Sequence, residues 1–151
     1  MSFKIKKKLI SRILHLSEQS KEGHIPSCLS ILDILISVYG HININKIKLE
    51  LEDRDFFILS KGHGALALYV ILEFYNFYKR DILNNFCKYD SKFGGHPDAS
   101  KIKGVEMSTG SLGHGMPFAA GVAYAKKIKN LKGDVICLIG DGECNEGTIW
   151  E

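Results

Sequence analysis

Gly140-Asp141-Gly142-Glu143-Cys144-Asn145-Glu146-Gly147-Thr148-Ile149-Trp150-Glu151 follows directly on the apolar run from Val135 to Ile139. A short apolar run bounded by glycine reads as a strand buried in a parallel sheet, and ligands of open α/β sheets sit beyond the carboxyl ends of such strands. Asp141 therefore stands where a ligand would arrive. Mg²⁺ prefers hard oxygens and is commonly shared between one or two carboxylates and the phosphates of a bound group. Glycines on both sides of Asp141 let the chain turn sharply and clear space for a diphosphate. Asp-Gly is also a common turn dipeptide, so this segment alone leaves a plain turn open beside a metal site.

Upstream, helical and strand-like patterns alternate. Phe3, Leu9, Ile10, Ile13 and Leu14 recur at helical spacing to about Ser20, where Lys21-Glu22-Gly23 breaks the pattern. Ile31, Leu32, Ile34, Leu35 and Val38 predict a second helix stopped by Gly40. Phe56-Phe57-Ile58-Leu59 reads as a short buried strand, and Gly62-His63-Gly64 leads into an apolar helix through about Phe77. Asp81 is expected to cap a further helix reaching Tyr89. Ser91 to Met116 is the least regular stretch and longer than an idle connection, which points to loop function. Pro117 to Leu131 reads as a small-residue helix with Lys126, Lys127 and Lys129 on its wet end. The fold class is α/β, an open parallel sheet flanked by helices.

The chain has 151 residues, 45% hydrophobic and 25% charged, which suits one ordinary globular domain. Its net charge of +3 owes much to Lys4, Lys6, Lys7 and Lys8, read as the solvated end of the first helix, so a nucleic-acid role has little compositional support. The four cysteines form no Cys-x-x-Cys pair, as expected of reduced thiols in a cytoplasmic protein. Ser11 and Arg12 interrupt the one candidate secretory stretch, and Ala65 to Tyr78 is too short to span a bilayer, so no membrane role is expected.

Five of the six histidines follow a glycine: His24, His41, His63, His96 and His114. Imidazoles beside flexible turns can hydrogen-bond phosphate and sugar hydroxyls and exchange protons near neutrality. His15 and His41 are read as ordinary helix and loop histidines. No spacing suits zinc.

Taken in order, Gly23-His24-Ile25-Pro26 with Asp33-Ile34-Leu35, Asp53 through His63, Gly94-Gly95-His96-Pro97, Ser108 through Gly115, and Gly140-Asp141-Gly142 with Glu146-Gly147 resemble the thiamine-diphosphate-binding half of transketolases. The resemblance covers nearly the whole chain, with Ser108–Gly115 and Gly140–Glu151 the most specific parts. It is nearest to the separate N-terminal subunit of split bacterial transketolases.

The resemblance implies that Asp141 binds Mg²⁺ and that backbone at Gly140 and Gly142 approaches the diphosphate. It places His63 at cofactor phosphate and has Gly110, Ser111 and Leu112 hold the cofactor through backbone and an apolar contact. His24 and His96 match histidines that bind the donor sugar and assist its proton transfers. Glu146 and Glu151 match glutamates between the two active sites of a dimer. His114 departs from the family, where Gln is common. The implied reaction moves a two-carbon ketol unit from a ketose phosphate to an aldose phosphate, with thiamine diphosphate supplying the carbanion chemistry.

In the family a second metal ligand, an Asn, further strands and a pyrimidine-binding domain or partner subunit lie beyond the position of Glu151. Residues 1–151 are therefore expected to be a partial domain and a poor catalyst alone. Two other readings stay open: another thiamine-diphosphate enzyme, such as a deoxyxylulose phosphate synthase or a keto-acid dehydrogenase component, and a non-catalytic remnant. His96 and Glu146-Gly147 favour transketolase, because they suit a polyhydroxylated donor.

Overall fold

A computed structural model describes residues 3–151. Chain order is α1 (Phe3–Ser20), α2 (Ile25–His41), α3 (Ile44–Lys48), β1 (Phe56–Leu59), α4 (Ala65–Phe74), α5 (Arg80–Leu83), α6 (Gly115–Ile128), β2 (Val135–Leu138) and α7 (Gly147–Trp150). Single 3₁₀ turns, Gly62–Gly64 and Gly142–Asn145, follow the two strands.

β1 and β2 pair in parallel, Phe56 opposite Val135 through Leu59 opposite Leu138, so both carboxyl ends emerge on one edge. Side chains alternate along a strand. Phe57 and Leu59 join Leu138 and Ile136 in the core built with α1, α2 and α4. Phe56 turns to the other face, where Lys126 of α6 lies 5.3 Å above its ring.

The apolar run Ala65–Leu72 is buried throughout, which places α4 at the centre of the helical layer. On α1, Leu9, Ile13 and Leu16 supply the buried stripe, and Arg12, also buried, forms a bidentate pair with Glu73 of α4 at 2.8 and 3.0 Å. Arg12 further donates to the Arg80 carbonyl at 3.0 Å, tying the start of α5 to α1.

Several boundaries differ from the sequence expectation. α2 begins at Ile25, with Pro26 in its first turn, and runs through Gly40 to His41. Proline fits there because it lacks only an N–H that has no helical partner, and nothing lies within 4 Å of where a Gly40 side chain would be. α4 ends at Phe74, since Asn76 takes a left-handed conformation, φ 58°. The helix expected up to Tyr89 is only α5; Lys79 is its cap residue, Asp81 lies within it, and Cys87 and Asp90 have positive φ. α6 starts earlier, at Gly115.

Lys126 is buried, not on a wet end. Its ammonium donates to the Arg54 carbonyl at 2.8 Å and lies over the Phe56 ring as a cation–π contact. Among the described residues no helix is long and apolar enough to cross a membrane.

Candidate cofactor site

Both strands end into the site. Ser60 and Lys61 leave β1, and Gly140 and Asp141 leave β2. Between them lies Glu143, 2% exposed. One of its carboxylate oxygens accepts from the Ser60 hydroxyl and, at 2.8 Å, from the Gly113 N–H; the other accepts from the Gly140 N–H at 3.0 Å. A carboxylate without a cation is tolerable in a buried position when several donors satisfy it. The loop containing Gly110–Leu112 and the Gly140-Asp141-Gly142 turn are thus fastened to the same side chain.

The loop is anchored on its other side. Thr109 donates from Oγ1 to the Leu59 carbonyl at 2.7 Å, and its N–H donates to the Pro97 carbonyl at 3.2 Å. Gly62 lets the two backbones meet: a Cβ there would lie 2.8 Å from Thr109 C and Gly110 N. At Gly113, φ +82° favours glycine, and the Thr148 hydroxyl donates to its carbonyl at 3.0 Å. Asp98 holds the preceding turn; hydrogen bonds from Ser100 and Lys101 draw its carboxyl down to about 2.

His24 stands at the start of α2 with no side-chain cap bond, so its imidazole stays available. Its ring meets that of His63 edge-on, 5.5 Å between centroids. The His96 ring lies over Gly110, where a Cβ would come within 3.2 Å of its Cδ2, and the His96 carbonyl accepts from the Tyr69 hydroxyl at 2.9 Å. Burial lowers the His63 pKa first, and the positive fields of Lys61, His24 and His96 add to it, against a smaller opposing pull from Glu143.

The other proposed residues are dispersed around this centre. Asp141 is exposed, and among the described residues no donor or cation reaches its carboxylate. Gly142 has open space on its side-chain face, whereas the Gly140 N–H is consumed by Glu143. Ser111 is exposed and Leu112 half-buried; the Leu112 carbonyl lies 3.0 Å from Nδ1 of His114, which precedes α6. Glu146 is exposed, with its side chain against Gly113, and Glu151 is exposed. His15 lies on the exposed face of α1, and His41 stands 3.7 Å from Asp134, away from the other histidines.

Sequence reasoning assigned no role to Glu143, Ser60, Lys61 or Thr109. Their signal was positional: each adjoins the carboxyl end of a strand or the glycine-rich loop that meets it.

A family model described as "Transketolase, thiamine diphosphate binding domain" matches residues 5–151. One of the subunits of the apulose-4-phosphate transketolase of Actinobacillus succinogenes is 43% identical over 85% of this chain and 47% of its own length. A protein named Ferredoxin fas2 from Rhodococcoides fascians is 43% identical over 95% of this chain and 46% of its own. The crystal structure of transketolase from Campylobacter jejuni superposes with a TM-score of 0.81 at 30% identity, covering 99% of this chain and 26% of that one. The chain spans about half the length of these curated relatives. With its glycine-rich loop and Gly-Asp-Gly turn gathered at one sheet edge, and with a match of this extent, the chain belongs to the transketolase family through the thiamine-diphosphate-binding domain.

Proposed function

We propose that this chain supplies the diphosphate-binding part of a site for thiamine diphosphate and Mg²⁺, in a transketolase transferring a two-carbon ketol unit from a ketose phosphate to an aldose phosphate. The observation that carries the reading is the meeting of the Gly113 loop and the Gly140–Gly142 turn on Glu143.

The residues fit the cofactor. Asp141 offers an exposed carboxylate with no competing partner among the described residues, and Gly142 leaves the adjacent space clear. No group of three or more His, Cys, Asp or Glu among the described residues is arranged for a metal. A cation at Asp141 would take its remaining ligands from outside these groups, as Mg²⁺ commonly does when it shares carboxylate and phosphate oxygens. When bound, thiamine diphosphate supplies the carbanion chemistry of ketol transfer.

His63, held toward its neutral form, can donate one hydrogen bond to a phosphate oxygen at neutral pH. His24 and His96 stand where a polyhydroxylated donor would extend from the cofactor, and either can hold or accept a hydroxyl proton. Gly110, Ser111 and Leu112 would hold the cofactor through backbone groups and an apolar contact. Glu146, beside the loop, would face a second site in a dimer. A separate subunit or further domain carrying the pyrimidine-binding site is the required partner, and the assembly works in the cytoplasm.

The test combines the chain with such a pyrimidine-binding partner, extending it through the remaining strands where required, and measures ketose-to-aldose carbon transfer. Mg²⁺-dependent transfer that Asp141→Ala abolishes, with the melting midpoint unchanged, supports the reading. Pyruvate as donor, with no transfer from ketose phosphate, points to a different thiamine-diphosphate reaction.

A further inference from the structure

Lys61 follows Ser60 at the carboxyl end of β1 and is only 9% exposed. Buried lysines are normally paired. The other buried cations here have partners: Arg12 pairs with Glu73, and Lys126 donates to the Arg54 carbonyl. Among the described residues Lys61 has neither an ion pair nor a side-chain hydrogen bond; its stem is buried while its ammonium still reaches solvent.

Its stem fixes where the charge lies. A Cβ placed on Gly140 would stand 3.8 Å from Cδ of Lys61, so the ammonium, two bonds farther on, stays close to the Gly140-Asp141-Gly142 turn. Glu143 adjoins the same point but spends its oxygens on Ser60, Gly113 and Gly140. The positive field of Lys61 also opposes protonation of His63. An unpaired cation beside the turn is a place that an incoming anion completes.

We propose that Lys61 is a ligand-binding residue whose ammonium donates to a phosphate oxygen of a diphosphate seated at the Gly140–Gly142 turn. This rests on the cofactor reading above. A lysine engages phosphate as a mobile point charge, so it can follow the group as the turn closes on it.

Inorganic pyrophosphate with Mg²⁺ is the probe, titrated into the purified chain by calorimetry. Lys61→Met keeps the stem and removes the charge, and Lys61→Arg keeps the charge. Loss of one charged hydrogen bond predicts about ten- to hundredfold weaker pyrophosphate binding by Lys61→Met. Lys61→Arg should bind closer to the unsubstituted chain. Lys61→Met should melt at the same temperature, because the ammonium has no ion pair or hydrogen bond to lose, and its His63 titration midpoint, read by NMR, should rise.

Equal pyrophosphate affinity in Lys61→Met overturns the assignment and leaves the cofactor reading standing. Absence of binding by the unsubstituted chain overturns the assignment, and the transfer assay with the partner decides the cofactor reading. A lower melting midpoint or loss of cooperative melting in Lys61→Met identifies a structural cation and overturns the assignment, as does an unmoved His63 midpoint.

Discussion

Glu143 serves three donors with two oxygens, so its amide analogue cannot reproduce the arrangement. In Glu143→Gln the side-chain NH₂ must oppose at least one of Ser60, Gly113 and Gly140, and an unmet buried donor costs about 1–3 kcal/mol. A lower thermal midpoint, together with weaker binding of thiamine diphosphate, is the expected result. His63 gives a second outcome, in pH. Its folded-state pKa is lowered, so the unfolded chain binds its proton more readily. Its contribution to stability is intact above the ordinary imidazole value of about 6.5 and is lost as pH falls below it. Melts between neutral and mildly acidic pH should show a loss that His63→Gln reduces. Little of this was legible in sequence. The glycine contexts of His24, His63 and His96 marked them out, but nothing distinguished Glu143 among 17 acidic residues until two separate strands placed their ends around it.

Among the elements, β1, β2 and the apolar start of α4 were legible because a continuous apolar run bounded by glycine leaves few alternatives. Boundaries were less so. Gly40 carries no steric demand and α2 passes through it, while α4 ends in a left-handed Asn76 that no periodicity marks. The burial of Lys126 depends on a tertiary acceptor, the Arg54 carbonyl, distant in sequence. Gly62 shows how an element junction serves the site. Its backbone lies so near Thr109 and Gly110 that Gly62→Ala must displace the loop, at about 1–3 kcal/mol. Urea unfolding should register that cost, and thiamine diphosphate titration should show a matching loss of affinity.

Across the whole molecule, stability is concentrated in the helical layer. α1, α2 and α4 contain most of the buried side chains, and the Arg12–Glu73 pair locks α1 to α4 with 7% and 10% of its side chains exposed. Truncating one member strands the other, so Glu73→Ala should lose about 3–5 kcal/mol in urea unfolding without altering the loop at Gly110. The opposite side differs: α6 buries only Gly115, Ala119 and Lys126, and it leaves Met116, Phe118, Tyr124 and Ile128 exposed. Along α1 lies a second basic surface, a groove lined by Lys7, Lys8, Arg12, His15 and Arg80.

On the proposed reading, the sheet edge receives thiamine diphosphate with Mg²⁺. Titration of the isotope-labelled chain with both, followed residue by residue by NMR, tests it most directly. Mg²⁺-dependent shifts at His63, Gly110 to Leu112 and Gly140 to Gly142, lost in Asp141→Ala, are the predicted result. Shifts confined to Lys7, Lys8, His15 and Arg80 along α1, unchanged by Asp141→Ala, would contradict it.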